Sequence, residues 1–495
     1  MPEQRSGEFL GHPKGLYVLS LTEMWERFSF YSMRAFLVLY MTKALVLSDK
    51  LGNEIYGAYL GFVYASPFIG GMLADRLLGQ RRSIVIGGLL MAAAQFTLAA
   101  HSILLERGAD VQRTMFLFFV ALGLLSAGNG FFKPNISTIV GSLYPAGDKR
   151  RDNAFLIFYM GINIGAFLAG FSGQVAEMVH WKWGFLMAGT GMLVGQVIFW
   201  FGGRQIGPHG HPPQVGLLSK KGPTGLPNGL LLAFGVALFI PISAYLMSRP
   251  SWVQYLAVVV AVPILMYLVW EILRAPRGEG ARMAVIVILC SFSMLFWAFF
   301  ELAGSAINLF TDKHVDRTIN FFGREIELGA SLLTAQINPV FIILLGIPFG
   351  KLWVWLDKRQ AEPSSPLKFA LGLLQLGAGF FVMYLGALDA REGGTCSIWY
   401  LTLGFFLHTT GELCLSPVGL STVTKLSPVR LVGMFMGVWF LSSSLGNVFG
   451  GWVGGKTENY GFDVVFKWIG VVCVGAAVLL FVLVPLLKRM MRGVK

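Results

Sequence analysis

Four charged residues share one apolar run near the start of the chain. In GLYVLSLTEMWERFSFYSMRAFLVLYM, residues 15–41, Glu23, Glu26, Arg27 and Arg34 stand among aromatic and aliphatic side chains. At about 100° of rotation per helical residue, Glu23, Arg27, Phe30 and Arg34 fall on one stripe, with Glu26 on one side of it and Tyr31 on the other. Met24, Trp25, Phe28, Ser32 and Phe36 take the opposite side, which reads as a lipid-compatible face. Glu23 and Arg27 have the i, i+4 spacing at which opposite charges meet. A charge at the centre of a bilayer costs ~2.5–3.5 kcal/mol on the insertion scale, so the stripe has to face other helices or water.

Two readings fit such a stripe. A structural one makes it an ion-pair cluster that locks helices together. A functional one lines a pathway, the default for ionisable groups inside a membrane. Three more stand in apolar runs: Lys133 in GFFKPN, Glu301 in WAFFELAG and Glu412 in HTTGELCLSP. Pro134 follows Lys133, and Pro417 comes shortly after Glu412. Each proline is expected to break its helix, which is tolerable beside a cavity. Four carboxylates and three cations leave one excess negative charge, so one proton neutralises the set. A zwitterionic solute brings a carboxylate for the cations and an ammonium for a carboxylate. A buried charge that loses its partner must find another, because an uncompensated one is heavily penalised. On this count of charges, solute and proton binding are expected to be linked.

His408 stands one helical turn before Glu412. Sharing a proton, binding a metal and a plain buried hydrogen-bonded histidine are the alternatives, and the last is preferred. His209 and His211 form an HGH in a Gly- and Pro-rich stretch, better read as a solvated loop than as a metal site. No metal or cofactor is expected. Cys290, Cys396, Cys414 and Cys473 are isolated, with no C-x-x-C spacing, and imply no disulfide framework. No nucleophile–base pair or phosphate loop is present, so an enzyme is not expected.

The elements that must position these charges are membrane helices. The chain is 55% hydrophobic and 13% charged, against roughly 25% charged in soluble proteins. Apolar stretches long enough to span a bilayer recur throughout. Spans are expected near 14–42, 54–78, 83–105, 114–142, 153–179, 183–203, 228–247, 252–272, 282–310, 330–356, 367–388, 397–424, 431–454 and 464–487. The polar start MPEQRSGEFLGHPKG argues against a signal peptide. The net charge of +13 raises nucleic acid as a partner, but its placement excludes that class. With the N-terminus inside, cytoplasmic ends carry about twice the Lys and Arg of external ends, as the positive-inside rule requires. Both termini are expected in the cytoplasm.

The stretch 205–227 is the clearest linker. On either side of the middle the segments look related. GGMLADRLLGQRR pairs with GKLWVWLDKR, GNGFFKPNIS with ELCLSPVGLS, and FYMGINIGAF with MFMGVWFLSS, all at offsets of roughly 280 residues. Glu23 and Glu301 share that offset. The reading is an all-α polytopic protein: a six-helix bundle over 1–204, a linker with two additional transmembrane helices over 205–281, and a second six-helix bundle over 282–495.

Glu23-x-x-Glu26-Arg27-Phe28-x-Phe30-Tyr31 closely resembles the E-x-x-E-R-F-x-Y-Y signature of the proton-dependent oligopeptide transporter family, also called the POT or PTR2 family, within the major facilitator superfamily. FYMGINIGAFLAG, GFFKPNIS and GELCLSPVGLS resemble its other signatures, and GGMLADRLLGQRR resembles the superfamily's loop motif. The resemblance spans both halves. It implies the major facilitator fold and proton-driven import of di- and tripeptides by alternating access, with a central site between the bundles. It further implies that Arg34 and Lys133 hold the peptide carboxylate and Glu412 the amine. Asn163 and Asn338 would bind the backbone or termini, and Tyr31 and Tyr64 would add hydrogen bonds. Trp297, Trp439 and Phe30 would form side-chain pockets. Glu23, Glu26 and Arg27 would be the proton-coupling cluster, and Glu301 a protonation site paired with Arg34. A monomer in the bacterial inner membrane, contacting lipid, completes the expectation.

Two departures stand out. Phe30 replaces the signature's first Tyr, removing one hydroxyl, and YGAYLGFVY lacks the His of animal members, so carboxylates must carry the proton. The nearest rival is a relative carrying nitrate or another organic anion, but the intact E-x-x-E-R and Glu412 favour peptides. A drug or sugar facilitator without proton coupling would not need seven buried charges.

Overall fold

A computed structural model describes residues 8–145, 147–148, 150–214, 216–222, 224–321 and 323–491. In chain order the helices are α1 (Lys14–Leu39), α2 (Asp49–Leu73), α3 (Gln80–Glu106), α4 (Val111–Ser142), α5 (Arg150–Met178), α6 (Trp181–Phe201), α7 (Gly203–Ile206), α8 (Asn228–Met247), α9 (Pro250–Arg274), α10 (Arg277–Phe300), α11 (Ala306–His314), α12 (Ala330–Lys358), α13 (Ser365–Gly393), α14 (Ile398–Leu426), α15 (Val432–Gly454), α16 (Thr457–Tyr460) and α17 (Phe462–Met490). Among the described residues, twelve helical segments are long and apolar enough to cross a membrane. The 26-residue α1 and the 29-residue α14 are long enough as well. The chain is a multi-pass membrane protein.

Two small antiparallel hairpins complete the structure. β1 (Glu8–Phe9) pairs with β2 (His12–Pro13), and β3 (Thr318–Phe321) pairs with β4 (Arg324–Glu327). The first is strapped down by Arg150, which donates to Glu8, Asp148 and the Gly11 carbonyl. Those bonds hold the Asp148 carboxyl below its ordinary value.

Three expectations need correction. The helices run through Pro134 and position 417 without breaking. At Pro134 the Ser137 and Thr138 hydroxyls donate to the proline's own carbonyl, while the carbonyl that the proline leaves free is that of Gly130, four residues earlier. The expected span 282–310 is interrupted: α10 ends at Phe300, and Glu301–Gly304 form a single 3₁₀ turn before α11. The supposed lipid face of α1 is covered by α6. Cβ atoms on Gly191 and Gly195 would press into Phe28, Trp25 and the Thr22 carbonyl.

The chain forms two compact units. The first comprises 1–40 and 62–248. In it α1 packs on α5 and α6, α3 packs on α4 and α6, and α8 lies on α4. Helix pairs meet backbone to backbone where glycine allows: Gly70 against the Gly130 carbonyl, and Gly87 against the Gly128 carbonyl. At the end of α2, a π-turn over Ala74–Leu78 hands over to α3 at Gly79, whose φ of 74° only glycine adopts without strain. The linker folds back here. Arg81 donates to the carbonyls of Gly207 and His209, and burial together with the Arg81 charge pushes the His209 imidazole down.

The second unit comprises 41–61 and 249–495. Its core is built on α13 against α14 and α17, and α10 against α15. Residues 41–61 are stitched into it. Lys43 pairs with Asp312 at 2.6 Å, Lys313 pairs with Asp49, and Ser444 donates to the Gly61 carbonyl at 2.7 Å.

Candidate functional site

In the first unit, α1 carries a buried guanidinium held by two carboxylates. Glu23 is 3% exposed, Glu26 0% and Arg27 3%. Arg27 grips Glu26 with both arms of its fork, Nε to Oε2 and NH2 to Oε1, the second at 2.6 Å. Its Nε also lies 3.2 Å from Glu23 Oε1. Glu23 Oε2 is buried and has no hydrogen-bond partner among the described residues. The cluster therefore carries one net negative charge and one unsatisfied acceptor. Burying such an acceptor is costly; a proton placed on it would remove the excess negative charge.

Glycines explain how the cluster is packed. A Cβ on Gly161 would lie 2.8 Å from the Ser20 carbonyl, and one on Gly165 would overlap the Met24 carbonyl and crowd Arg27 Cβ. The two glycines of MGINIG thus let α5 lie flush on α1 beside the ion cluster. Gly165→Leu is expected to cost about 1–3 kcal/mol by overpacking. Gly475→Leu is the control, since nothing lies within 4 Å of a Cβ there. Thermal unfolding in detergent should separate the two variants, and equal unfolding temperatures would refute the packing role.

The other expected residues of this unit stand on α1, α2, α4 and α5. The Arg34 guanidinium sits over the Tyr31 ring at 5.4 Å, and the Lys133 ammonium sits over the Tyr64 ring at 4.8 Å. Cation–π contacts of this kind favour a cation without fixing hydrogen-bond geometry. Asn163 is buried and donates to the Tyr159 carbonyl of its own helix at 2.9 Å. Phe30, expected to line a side-chain pocket, is buried edge-on to Tyr31 and beneath Arg27. Asn129 was not anticipated. It is buried in α4 one turn before Lys133, and both amide atoms lack partners among the described residues. The signal was present in GNGFFKPN, where Lys133 drew the attention.

In the second unit, Glu412 on α14 accepts from Asn338 Nδ2 of α12 at 2.9 Å, and the same amide nitrogen donates to Thr409 Oγ1 at 3.0 Å. Asn338 and Glu412, predicted separately, are thus one group, and Thr409 is a member that the sequence reading missed. Trp297 is half-buried on α10, edge-on to Phe296 and Phe300. Trp439 is only 6% exposed, packed against Gly419 and Phe369. Glu301 is 5% exposed and begins the 3₁₀ turn that interrupts the span. α15 positions this segment through Gly446 and Gly450, which lie against the Met294 and Ala298 carbonyls of α10. His408 is packed on Gly379 with its ring against Phe380 and Phe405.

Long apolar helices bearing a few buried, mutually paired charges define a membrane carrier built on the major facilitator fold. Residues 81–465 match the POT (PTR2) family. The chain is 37% identical to the peptide transporter YePEPT of Yersinia enterocolitica, covering 97% of this chain and 96% of that protein. It is 33% identical to the di-/tripeptide transporter of Lactococcus lactis subsp. cremoris over 88% of each. Among solved structures, a peptide transporter POT crystallised with alafosfalin superposes with a TM-score of 0.83 at 33% identity, covering 99% of this chain and 98% of that one. The chain belongs to the POT family, a family of transporters.

Proposed function

We propose that the chain is a proton-coupled symporter that imports di- and tripeptides by alternating access. The observation that carries this reading is the Glu23–Glu26–Arg27 cluster, buried in a membrane-crossing helix with a carboxylate oxygen unsatisfied. A purely structural lock would gain nothing from that oxygen, whereas a proton site requires it. The di-/tripeptide transport named for the Lactococcus relative supports the substrate class. In this reading Arg34 and Lys133 take the peptide carboxylate, since a forked guanidinium and an ammonium both suit it. Glu412, already accepting from Asn338, takes the amine. Tyr31, Tyr64, Asn163 and Asn338 contribute polar contacts, and Trp297 and Trp439 side-chain contacts. Glu23, Glu26, Arg27 and Glu301 form the proton-coupling set. The protein works as a monomer in the bacterial inner membrane, both termini in the cytoplasm.

The test is uptake of labelled dialanine into liposomes, with and without an inwardly directed proton gradient. Uptake that follows the gradient is expected, and gradient-independent uptake would remove the coupling. Glu412→Gln is expected to weaken free peptides at least tenfold while changing N-acetylated ones little, because only the former carry an ammonium. Inhibition constants against labelled dialanine measure both, and equal losses would exclude Glu412 as the amine partner.

A further inference from the structure

Apart from the buried charges, the first unit contains a cavity. It is an apolar groove of about 440 Å³ between α8 and the α2–α4 pair. The volume falls within the range of ligand pockets. Its floor is the close crossing of α2 and α4 at Gly70 and Gly130. One wall is the α8 face bearing Leu231, Gly235 and Phe239. At the Phe239 end α8 closes onto its neighbours, with Phe239 edge-on to Phe62 and Ile240 meeting Gly123. Toward Asn228 the helices stand apart, and a Cβ on Gly235 would meet nothing within 4 Å.

Length and charge indicate what fills it. From Asn228 to Phe239 the groove runs along α8 for roughly 16 Å at 1.5 Å per residue. That is about half of a ~30 Å hydrocarbon core, hence one leaflet deep. The Asn228 end is basic. Lys220 and Lys221 are exposed there, tied to the groove by the Asn228 amide, which donates to the Lys220 carbonyl. Exposed Arg76 directly precedes Leu77, which lines the groove on the α2 side. The carboxylate in this neighbourhood is Asp75, which accepts from Gln80, and Lys220 makes one long contact to Gln214. Exposed Lys220, Lys221 and Arg76 therefore stand at the mouth of an apolar slot of acyl-chain length.

We propose that this groove is a binding site for an anionic phospholipid, one acyl chain lying between α8 and the α2–α4 pair and the phosphate at Lys220, Lys221 and Arg76. The helix α8 is thereby seated on α4 partly through lipid rather than through side chains. Basic pockets between transmembrane helices recognise anionic headgroups in this way.

Native mass spectrometry of the full chain, titrated separately with phosphatidylglycerol and phosphatidylcholine, tests the site. The wild type is expected to retain one phosphatidylglycerol at concentrations at least tenfold below those needed for phosphatidylcholine. Gly235→Phe, which enters open space, should fill the slot and abolish that retention. Lys220→Glu/Lys221→Glu should leave a bound lipid but erase the headgroup preference, and these exposed loop positions keep the test independent of any folding defect at Gly235. Equal retention of both lipids by the wild type, or unchanged retention by Gly235→Phe, would overturn the proposal. So would a dimer mass that disappears with Gly235→Phe, since the occupant would then be a second copy of the chain.

Discussion

Arg27→Ala is expected to abolish gradient-driven uptake and to destabilise the protein by about 3–5 kcal/mol, the scale for removing one partner of a buried ion pair. The cause is specific. Glu23 and Glu26 are both buried, and both oxygens of Glu26 accept from the guanidinium that the substitution deletes. Two carboxylates would remain in a low-dielectric site with no cation between them. Arg27→Lys should recover part of the stability, because an ammonium restores the charge but not the fork. The decisive variant is Glu23→Gln/Glu26→Gln/Arg27→Gln, which keeps the shape and removes all three charges. Replacing both members of a pair is far milder than breaking it, so this variant should unfold near the wild-type temperature in detergent. If the cluster couples protons, uptake stays at background although the fold is intact. Restored driven uptake in the triple variant would reduce the cluster to a structural lock.

Glu301→Gln is expected to separate two modes of transport that the wild type combines. Glutamine fills the same space at the head of the 3₁₀ turn and is neutral whatever the pH. It imitates a carboxyl that has accepted its proton and cannot release it. A carrier fixed in that form can still exchange labelled for unlabelled peptide across a membrane, since neither direction needs the proton to leave. It cannot complete the net cycle. Counterflow should therefore persist within about twofold of wild type, while driven uptake falls at least 100-fold, equivalent to about 2.7 kcal/mol. Intact driven uptake would exclude Glu301 as an obligatory proton carrier.

What the sequence disclosed and what it withheld have physical reasons. The spans were legible because hydropathy over 20 residues is a local property, and the ends of α8 and α12 fall close to the expected positions. The stripe on α1 was legible because side-chain direction repeats with the helix. The grip of Arg27 on Glu26 was not, since adjacent residues diverge by about 100° and only a long, flexible side chain brings them together. The Asn338–Glu412 bond was beyond reach because it joins residues 74 apart. The interruption at Glu301 was not legible either: WAFFELAGSAINLF carries no proline, and its polar residues Glu301, Ser305 and Asn308 are scattered among apolar ones. Prolines misled in the other direction, because a long transmembrane helix can absorb one missing backbone bond, and α4 runs on through Pro134. The hairpin of β3 and β4 went unread because its polar residues resembled an ordinary loop.

The backbone-to-backbone seams carry a genetic consequence. Glycine is the smallest residue, so every missense change in a glycine codon adds atoms, and none can compensate by subtraction. At Gly70, Gly87, Gly128, Gly130, Gly161 and Gly165 the added atom would meet a backbone carbonyl, which has no rotamer by which to yield. A random mutant library selected for growth on peptides should come back with those codons blank, while Gly235 and Gly475, whose surroundings are open, return diversified.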